Sequence, residues 1–311
     1  MTTALVTTCY QESAAIGSFI DAVLAQTRCP DRIIVVDAGS TDGTVERIRE
    51  RIAAGAPIAL IVEPGANRSR GRNLGVERSS ADLLALTDVG SRPRPDWFER
   101  LIGPLEADAT LDVVSGYYLP EPTTVWEAAV AAATVPTVDE VNPDAFLPSA
   151  RSVAFRRSAW EKAGGYPEWA WHNEDTPFDL ALKAAGARFV FEPSALVEWR
   201  PQANLRRLFV QFYRYARGDA QARLWFRHYT KACLMVVLTA ALAVAGALWR
   251  PALIGLPLLG VLYWLRHAAR AWRRTKRPLA AALAPLANAT VDLAHVTGYA
   301  RGLIERRPHG S

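Results

Sequence analysis

One stretch of twelve residues limits the folds open to this chain more than any other. Ile33 to Val36 are four apolar β-branched residues in a row, typical of a buried strand in a parallel sheet. Asp37, a glycine-rich turn and a helix start follow directly. Ligands of open α/β sheets lie at the carboxyl ends of strands, so Asp37 has a position suited to a nucleotide or a sugar. The same residues also fit a plain strand-to-helix turn with Asp42 as helix cap.

Strand and helix patterns alternate around this stretch. The apolar runs that predict strands cover residues 3–8, 33–36, 58–62 and 82–87. Apolar residues at helical spacing predict helices over 16–24 and 45–52. Crossovers of about a dozen residues or more call for parallel strands covered by helices. The expected fold class is therefore α/β, Rossmann-like, a mostly parallel sheet with helices on both faces.

The two parts of the chain differ in charge. The 311 residues carry a formal net charge of +5. Residues 200–311 contain 18 basic and 3 acidic side chains, which gives +15, whereas residues 1–199 carry −10. An acidic front part joined to a basic, apolar back part indicates two different regions.

The cysteines suit a reducing compartment, and the N-terminal residues show no signal-peptide pattern. Cys9, Cys29 and Cys233 show no paired spacing, which suits a reducing compartment and gives no sign of a zinc site. Met1 leads straight into a strand pattern, so we expect no secretory signal peptide.

A run of alternating arginines follows the third predicted strand. Arg68, Arg70 and Arg72 lie at a predicted helix start, and both helix N-termini and guanidinium groups favour phosphate. A solvated basic face is the alternative. The fourth strand then ends in Asp88-Val89-Gly90.

These segments, taken in order, resemble family 2 glycosyltransferases. The matching segments are Val36–Thr44, Gly71–Gly75, Thr87–Gly90 with Pro93 and Trp97, Ala154–Arg157, Gly164–Glu168, His172–Asp175 and Gln211–Tyr215. The resemblance covers roughly residues 3–218. It implies the GT-A fold and a nucleotide-activated sugar as donor.

The resemblance implies a nucleotide site at the carboxyl ends of the first strands. The predicted nucleotide-binding residues are Thr8, Tyr10, Glu12, Asp37, Arg68, Arg72 and Asp88. Asp88 stands where the family has the first carboxylate of a D-x-D pair, which places Mg²⁺ or Mn²⁺ against the diphosphate. Because Gly90 replaces the second carboxylate, metal use is less secure. The arginines at 68, 70 and 72 are the alternative source of positive charge.

The resemblance also implies a catalytic base. Glu174 and Asp175 open a predicted helix, where carboxylates are often only caps. In the family the second carboxylate of this pair takes the proton of the acceptor hydroxyl as that oxygen attacks the anomeric carbon. We assign this role to Asp175, with Glu174 as runner-up, and expect inversion.

Acceptor and diphosphate contacts are predicted at Ser152, Gln211 and Arg214. Ser152 precedes a predicted strand where the family has acceptor- and sugar-facing groups, and a solvent loop is the alternative. Gln211 and Arg214 match the Gln-x-x-Arg-Trp motif of processive members. Tyr215 replaces the tryptophan, so polymer synthesis and single-sugar transfer both stay open.

Two further segments leave alternatives open. The insertion over 121–144 carries Trp126, Val130 and Val135, which fit either a core or a surface near the acceptor or the membrane. Residues 278–299 fit an interfacial helix or a third span, and we favour the interfacial helix because Arg301, Arg306 and Arg307 follow. A polar stripe on that helix faces either water or partner helices; its residues are Asn288, Asp292, His295 and Tyr299.

Residues 232–249 and 251–265 are apolar runs flanked by basic residues. They predict a transmembrane helical hairpin with both ends in the cytoplasm, and a buried core hairpin is the alternative.

The expected organisation is a GT-A domain over residues 1–220 and a membrane-associated helical region over 221–311. The expected activity is transfer of a sugar from a nucleotide-sugar donor to a hydroxyl of a lipid-linked or glycan acceptor. The expected location is the cell membrane, multi-pass, with the catalytic domain cytoplasmic and no nucleic-acid partner. The alternative, raised by Gly90, is a catalytically impaired membrane protein that binds nucleotide sugars.

Overall fold

The computed structural model describes residues 1–250 and 254–305, and it divides the chain into two compact units. The first unit contains Met1–Leu119 and Glu140–Trp199. The second contains Pro120–Asp139 and the chain from Arg200 onward. This grouping differs from the predicted boundary at residue 220, because residues 120–139 and 200–220 belong with the C-terminal helices.

Eight strands form one sheet. They are β1 Thr3–Cys9, β2 Arg32–Asp37, β3 Ile58–Val62, β4 Leu83–Leu86, β5 Ser91–Pro93, β6 Val113–Pro120, β7 Val153–Arg156 and β8 Phe189–Trp199. Their order in the sheet is β3-β2-β1-β4-β7-β6-β8-β5. The neighbours β3, β2, β1 and β4 run parallel, whereas β7 is antiparallel to both β4 and β6, and β5 is antiparallel to β8. The α/β class is confirmed, and the sheet is mixed rather than mostly parallel.

Both faces of the sheet are buried under helices. The helices of the first unit are α1 Ile16–Leu24, α2 Thr44–Ala53, α3 Arg68–Ser79, α4 Trp97–Ala107, α6 Arg157–Ala163 and α7 Asp175–Ala184. Leu5 and Ile33 pack into a cluster with α1 and α4. Val6 and Ile34 point the other way, into a cluster with α3 and α7. Burial on both faces explains why β1 and β2 read as continuous apolar runs.

Helix α3 lies unusually close to the sheet. A Cβ atom at Gly71 would lie 2.8 Å from Thr8 Cγ2, and one at Gly75 would lie 2.4 Å from Val6 Cγ1. Only glycine permits this approach, so the two glycines set the first turns of α3 against the carboxyl end of β1.

The second unit is helical. Its helices are α5 Val125–Thr134, α8 Leu205–Gln221, α9 Phe226–Leu248, α10 Gly255–Thr275 and α11 Pro278–Ile304. Val130 and Val135 are buried, and Trp126 Nε1 donates to Gln202 O at 3.1 Å. The apolar residues of the insertion are therefore core residues of this unit.

Helices α8 and α11 meet backbone to backbone. A Cβ at Gly298 would lie 2.3 Å from Tyr213 O, and one at Gly302 would lie 2.4 Å from Arg217 O. Small residues spaced by four positions permit such contact between helices.

Two helices of the described chain, α9 and α11, are long and apolar enough to cross a membrane by length and composition. The predicted span 232–249 lies mostly within α9. The predicted span 251–265 stays a prediction: residues 251–253 lie outside the described residues, and residues 255–265 form the apolar first half of α10, whose second half is rich in arginine. These findings suggest association with a membrane.

The polar stripe of α11 faces partner helices. Tyr263 Oη donates to Asp292 Oδ2 at 2.7 Å, and Tyr299 Oη donates to Leu224 O at 3.0 Å. The ring of His295 lies 5.6 Å from that of Phe212. Our preference for an interfacial helix is therefore not supported. Arg306 and Arg307, which motivated it, lie outside the described residues.

Candidate active site

Three carboxylates from two separate parts of the first unit meet at one guanidinium group. Arg72, 3% exposed, donates from Nη1 to Glu174 Oε1 at 2.6 Å and to Asp175 Oδ1 at 2.8 Å. Its Nη2 atom donates to Asp88 Oδ1 at 3.2 Å. Its Cζ atom lies 5.2 Å from the centre of the Tyr166 ring. The charge of Arg72 is therefore neutralised by the protein, which does not support its predicted role as a phosphate ligand.

Asp175 is held at both carboxylate oxygens. Arg72 binds Oδ1, and the backbone N–H of Ala150 donates to Oδ2 at 3.2 Å. Burial raises the pKa of Asp175 to about 6, Arg72 opposes the rise, and Glu174 and Asp88 add to it. A carboxylate of this kind is mostly ionised at neutral pH and is a stronger base than an ordinary aspartate, which suits proton abstraction.

A second buried carboxyl group lies one helical turn after Asp175. The Oδ2 atom of Asp179 is buried without a hydrogen-bond partner in the part of the chain that the structure describes. Burial, with the charge of Asp175, raises the pKa of Asp179 well above its usual range. The neutral form of Asp179 is therefore favoured beside Asp175, and the sequence pattern gave no signal for this residue.

Asp88 follows β4, and its side chain is 35% exposed. Burial favours its neutral form, but the charges of Arg72, Arg151 and Arg68 outweigh this and lower the pKa of Asp88. Asp88 is therefore an ionised carboxylate.

The side chains around Asp88 do not form a metal site without further ligands. Across residues 1–250 and 254–305, no group of three or more His, Cys, Asp or Glu side chains could hold a metal ion. Asp88 offers one carboxylate, with Oδ1 already bound to Arg72, and Gly90 offers no side chain. A divalent cation at Asp88 would need most of its ligands from phosphate and water.

Of the predicted nucleotide-binding residues, Glu12 and Arg68 lie near Asp88. Tyr10 is exposed, while Thr8 and Glu12 are half-buried. Burial raises the pKa of Glu12, the charge of Asp88 adds to the rise, and Arg68 opposes it. Glu12, Arg68 and Asp88 therefore share one neighbourhood at the carboxyl ends of β1 and β4.

Asp37 stabilises the turn that follows β2 by accepting hydrogen bonds from Gly39 and Ser40. Its side chain is fully buried, Oδ1 accepts from the N–H groups of Gly39 and Ser40 at 2.9 and 2.7 Å, and Oδ2 accepts from Ser40 Oγ at 2.6 Å. Gly39 has a φ of +93°, which favours glycine. A structural turn accounts for these bonds, and a nucleotide contact by Asp37 stays a prediction.

Ser152 lies in the core of the first unit. It is 1% exposed, accepts from Trp97 Nε1 at 2.8 Å and donates to Ala195 O at 3.0 Å. Both its predicted acceptor contact and the alternative solvent loop lose support, because the hydroxyl is engaged inside the fold.

The neighbouring Arg151 is not among the predicted site residues. Its Cζ atom lies 5.5 Å from the centre of the Tyr118 ring and 5.1 Å from that of Trp199. Those rings come from β6 and β8, so no local pattern around residue 151 could have revealed the arrangement.

Gln211 and Arg214 lie on α8 of the second unit. Gln211 Nε2 is 2.9 Å from Tyr215 Oη, so the tyrosine that replaces tryptophan bonds to the first residue of its own motif. Their contacts with acceptor and diphosphate stay a prediction.

Comparison with known proteins gives matches over most of the chain. Residues 4–162 match the family described as "Glycosyl transferase family 2", and residues 85–291 match "Glycosyl transferase family group 2". Succinoglycan biosynthesis protein ExoA of Rhizobium meliloti is 28% identical over 258 residues, which cover 78% of this chain and 77% of that protein. Pre-mycofactocin glycosyltransferase of Mycobacterium tuberculosis is 29% identical over 222 residues, 68% of this chain and 46% of that protein.

A solved structure supports the fold. The mannosyltransferase PcManGT from Pyrobaculum calidifontis, in complex with GDP-Man and Mn²⁺, has a TM-score of 0.68 and 19% identity. The match covers 94% of this chain and 86% of that one.

Proposed function

The chain belongs to glycosyl transferase family 2, and from that premise we propose that it transfers a hexose-type sugar from a nucleoside diphosphate donor with inversion at the anomeric carbon. The acceptor is a hydroxyl of a glycan or lipid-linked molecule at the membrane. The observation that carries the proposal is Asp175, a carboxylate held at both oxygens with a pKa of about 6.

Asp175 acts as the general base. It accepts the proton of the acceptor hydroxyl while that oxygen forms a bond to the anomeric carbon. The bond from the anomeric carbon to the phosphate oxygen breaks, and its electron pair leaves with the nucleoside diphosphate. A single displacement of this kind inverts the anomeric centre.

Glu174 is less well suited to be the base. It is buried, and its Oε1 atom is bound to Arg72 at 2.6 Å. We therefore give Glu174 the role of holding Arg72, which in turn orients Asp175.

A divalent cation, when bound, would neutralise negative charge on the diphosphate. PcManGT was solved with GDP-Man and Mn²⁺, which supports divalent metal use among proteins of this fold. In this chain Asp88 is the residue that would hold Mg²⁺ or Mn²⁺, and we propose that the ion binds together with the donor.

The membrane setting is also a proposal. Helices α9 and α11 are its support, together with relatives named for succinoglycan and pre-mycofactocin synthesis. Arg223, Arg227 and Lys231 lie at or just before the start of α9, so by the positive-inside rule we assign that end, and the catalytic unit that precedes it in the chain, to the cytoplasm.

The test replaces the base by its neutral isostere. Asp175→Asn should lower kcat by about 10²–10⁴, because the shape is kept and the base is lost. Donor binding, measured by calorimetry, should stay close to wild type. Asp144→Asn, in an exposed loop, is the matched control with unchanged activity.

A catalytically impaired binding protein is the second candidate, favoured by Gly90 in place of a carboxylate. No sugar release from any nucleotide sugar by the wild-type protein would favour it. Full turnover by Asp175→Asn would instead remove Asp175 as the base.

A further inference from the structure

The segment Gly164–Glu168 carries part of the family resemblance, but the mechanism described above gives it no role. Its central residue, Tyr166, is 3% exposed and lies against the guanidinium group that binds the base. The Cζ atom of Arg72 is 5.2 Å from the centre of the Tyr166 ring, which is within the range of a cation–π contact. Tyr166 therefore touches the residue that binds Asp175.

The carboxylates and the ring hold different parts of Arg72. Its Nη1 and Nη2 atoms, at the ends of the guanidinium group, donate to three carboxylates at 2.6 to 3.2 Å. The Tyr166 ring instead supports the central carbon of the group. Without the ring, the guanidinium group would be free to shift away from Asp175 while it keeps its shorter bond to Glu174.

Tyr166 is itself held from two sides. Asn73, which follows Arg72 in α3, bonds to both backbone groups of Tyr166: Oδ1 accepts from the N–H at 2.7 Å, and Nδ2 donates to the carbonyl oxygen at 2.9 Å. The Tyr166 ring is stacked on Phe178 of α7, with 3.9 Å between the ring centres. Helix α7 begins with Asp175. Tyr166 thus connects the helix that carries Arg72 with the helix that carries the base.

The position of Arg72 controls the strength of the base. The ionisable groups that interact with Asp175 are Arg72, Asp88, Tyr166, Glu174 and Asp179. Among these, Arg72 is the cation that opposes the raised pKa of Asp175, whereas Glu174 and Asp88 add to the rise. Because an opposite charge acts strongly only at short range, a shift of Arg72 changes the pKa of Asp175.

We propose that Tyr166 is a positioning residue, whose ring holds Arg72 in the place from which the guanidinium group orients Asp175 toward the acceptor hydroxyl. This inference rests on the proposed function, in which Asp175 is the base. Tyr166 transfers no proton in this role. The aromatic face supports the cation, so phenylalanine should substitute for Tyr166, and an aliphatic residue should not.

The experiment follows the release of nucleoside diphosphate from UDP-glucose and GDP-mannose by the full-length protein in detergent, with water as acceptor. For Tyr166→Leu we expect kcat to fall about tenfold, since a misplaced base loses part of its catalytic effect. The acid limb of the pH profile should move to higher pH by about half a unit or more, because Arg72 then opposes the raised pKa of Asp175 less. Tyr166→Phe should keep both values near wild type.

Phe189→Leu is the matched control. It removes another ring of the same unit that contacts a cation, 5.3 Å from Lys183 Nζ, and it should leave kcat and the acid limb unchanged. Thermal unfolding shows how far each variant is destabilised. Calorimetry with UDP and GDP separates a loss of donor binding from a loss of base strength, and for Tyr166→Leu the affinity should change less than kcat.

Asn73→Ser keeps the inference open to refutation if Tyr166→Leu does not fold. This variant keeps the ring but loosens the backbone of Tyr166, so we expect a smaller shift of the acid limb in the same direction. An unmoved acid limb in the folded variants, with or without a loss of donor affinity, would overturn the role of Tyr166 alone. Wild-type protein that neither binds UDP or GDP nor releases them from either donor would overturn the proposed function and this inference with it.

Discussion

At the scale of single residues, the site consists of charged groups that shift one another's pKa values and hold one another in place. Arg72 is buried, yet it bonds to Asp88, Glu174 and Asp175. A buried arginine is stable only with such partners, and removing one partner leaves an uncompensated charge. The sequence identified all four residues as site residues. It could not show that Arg72 binds carboxylates rather than phosphate, because that pairing joins positions about a hundred residues apart.

The ionisation of Asp175 should be visible in the pH profile of transfer. The raised pKa of about 6 means that Asp175 becomes protonated, and so inactive as a base, when the pH falls through 6. We expect kcat/KM to fall about tenfold per pH unit below that value, since this ratio reports the free enzyme. Circular dichroism at each pH is the control for folding. A flat profile down to pH 5 would contradict the assignment.

The space at Gly90 permits a direct test of the metal. A Cβ atom there would meet nothing within 4 Å, so Gly90→Asp fits without strain and restores the D-x-D pair. We expect wild-type protein to bind Mn²⁺ only with nucleoside diphosphate present, and Gly90→Asp to bind it without nucleotide. Gly90→Ala controls for the loss of glycine. Tight Mn²⁺ binding by wild-type protein alone would contradict the single-carboxylate interpretation.

At the scale of elements, the close approach of α3 to the sheet is what positions Arg72. Gly71 and Gly75 allow this approach because neither has a Cβ atom. Both glycines can be seen in the sequence, but only the structure shows that a larger residue would clash with β1. The buried parallel strands were predictable because both faces are apolar. The half-buried strand β8 was not, because Phe189–Trp199 contains a proline and two glutamates. Helix α10 continues past the predicted span end at residue 265, because the arginine-rich residues expected to flank the span extend the same helix to Thr275.

Gly75→Ala should therefore damage the first unit. The new Cβ would lie 2.4 Å from Val6 Cγ1, and overpacking of this kind costs about 1–3 kcal/mol. Thermal unfolding and donor affinity measure the effect on α3 and on Arg72. Gly103→Ala in α4 is the matched control, because a Cβ there meets nothing within 4 Å and should stabilise the helix slightly. Equal melting temperatures for the two variants would refute the packing argument.

At the scale of the whole molecule, the chain passes three times between its units, at residues 119–120, 139–140 and 199–200. Helix α5 thus belongs with α8 and α11, although it lies between two strands of the first unit in sequence. The change in charge between residues 1–199 and 200–311 coincides with the passage at residues 199–200. Net charge could not reveal that α5 belongs to the second unit, because the composition of α5 would fit either unit.

This arrangement changes what a soluble fragment should contain. A fragment of residues 1–220 keeps α5 and α8 without α11, and so exposes Leu208, Ala216 and other residues buried in the second unit. We expect it to aggregate. A fragment of residues 1–199 with 120–139 replaced by a flexible linker should stay in solution as a monomer. Size-exclusion chromatography compares the two, and a monodisperse 1–220 fragment would contradict the grouping.

The backbone contact between α8 and α11 has a genetic consequence. One base change converts a glycine codon to alanine or valine, and at Gly298 or Gly302 either side chain would press on a main-chain oxygen at less than 3 Å. Such alleles should be temperature-sensitive, with glycosylation normal in cells grown cool and lost in cells grown warm. The two codons therefore offer conditional mutants that leave every residue of the catalytic unit untouched.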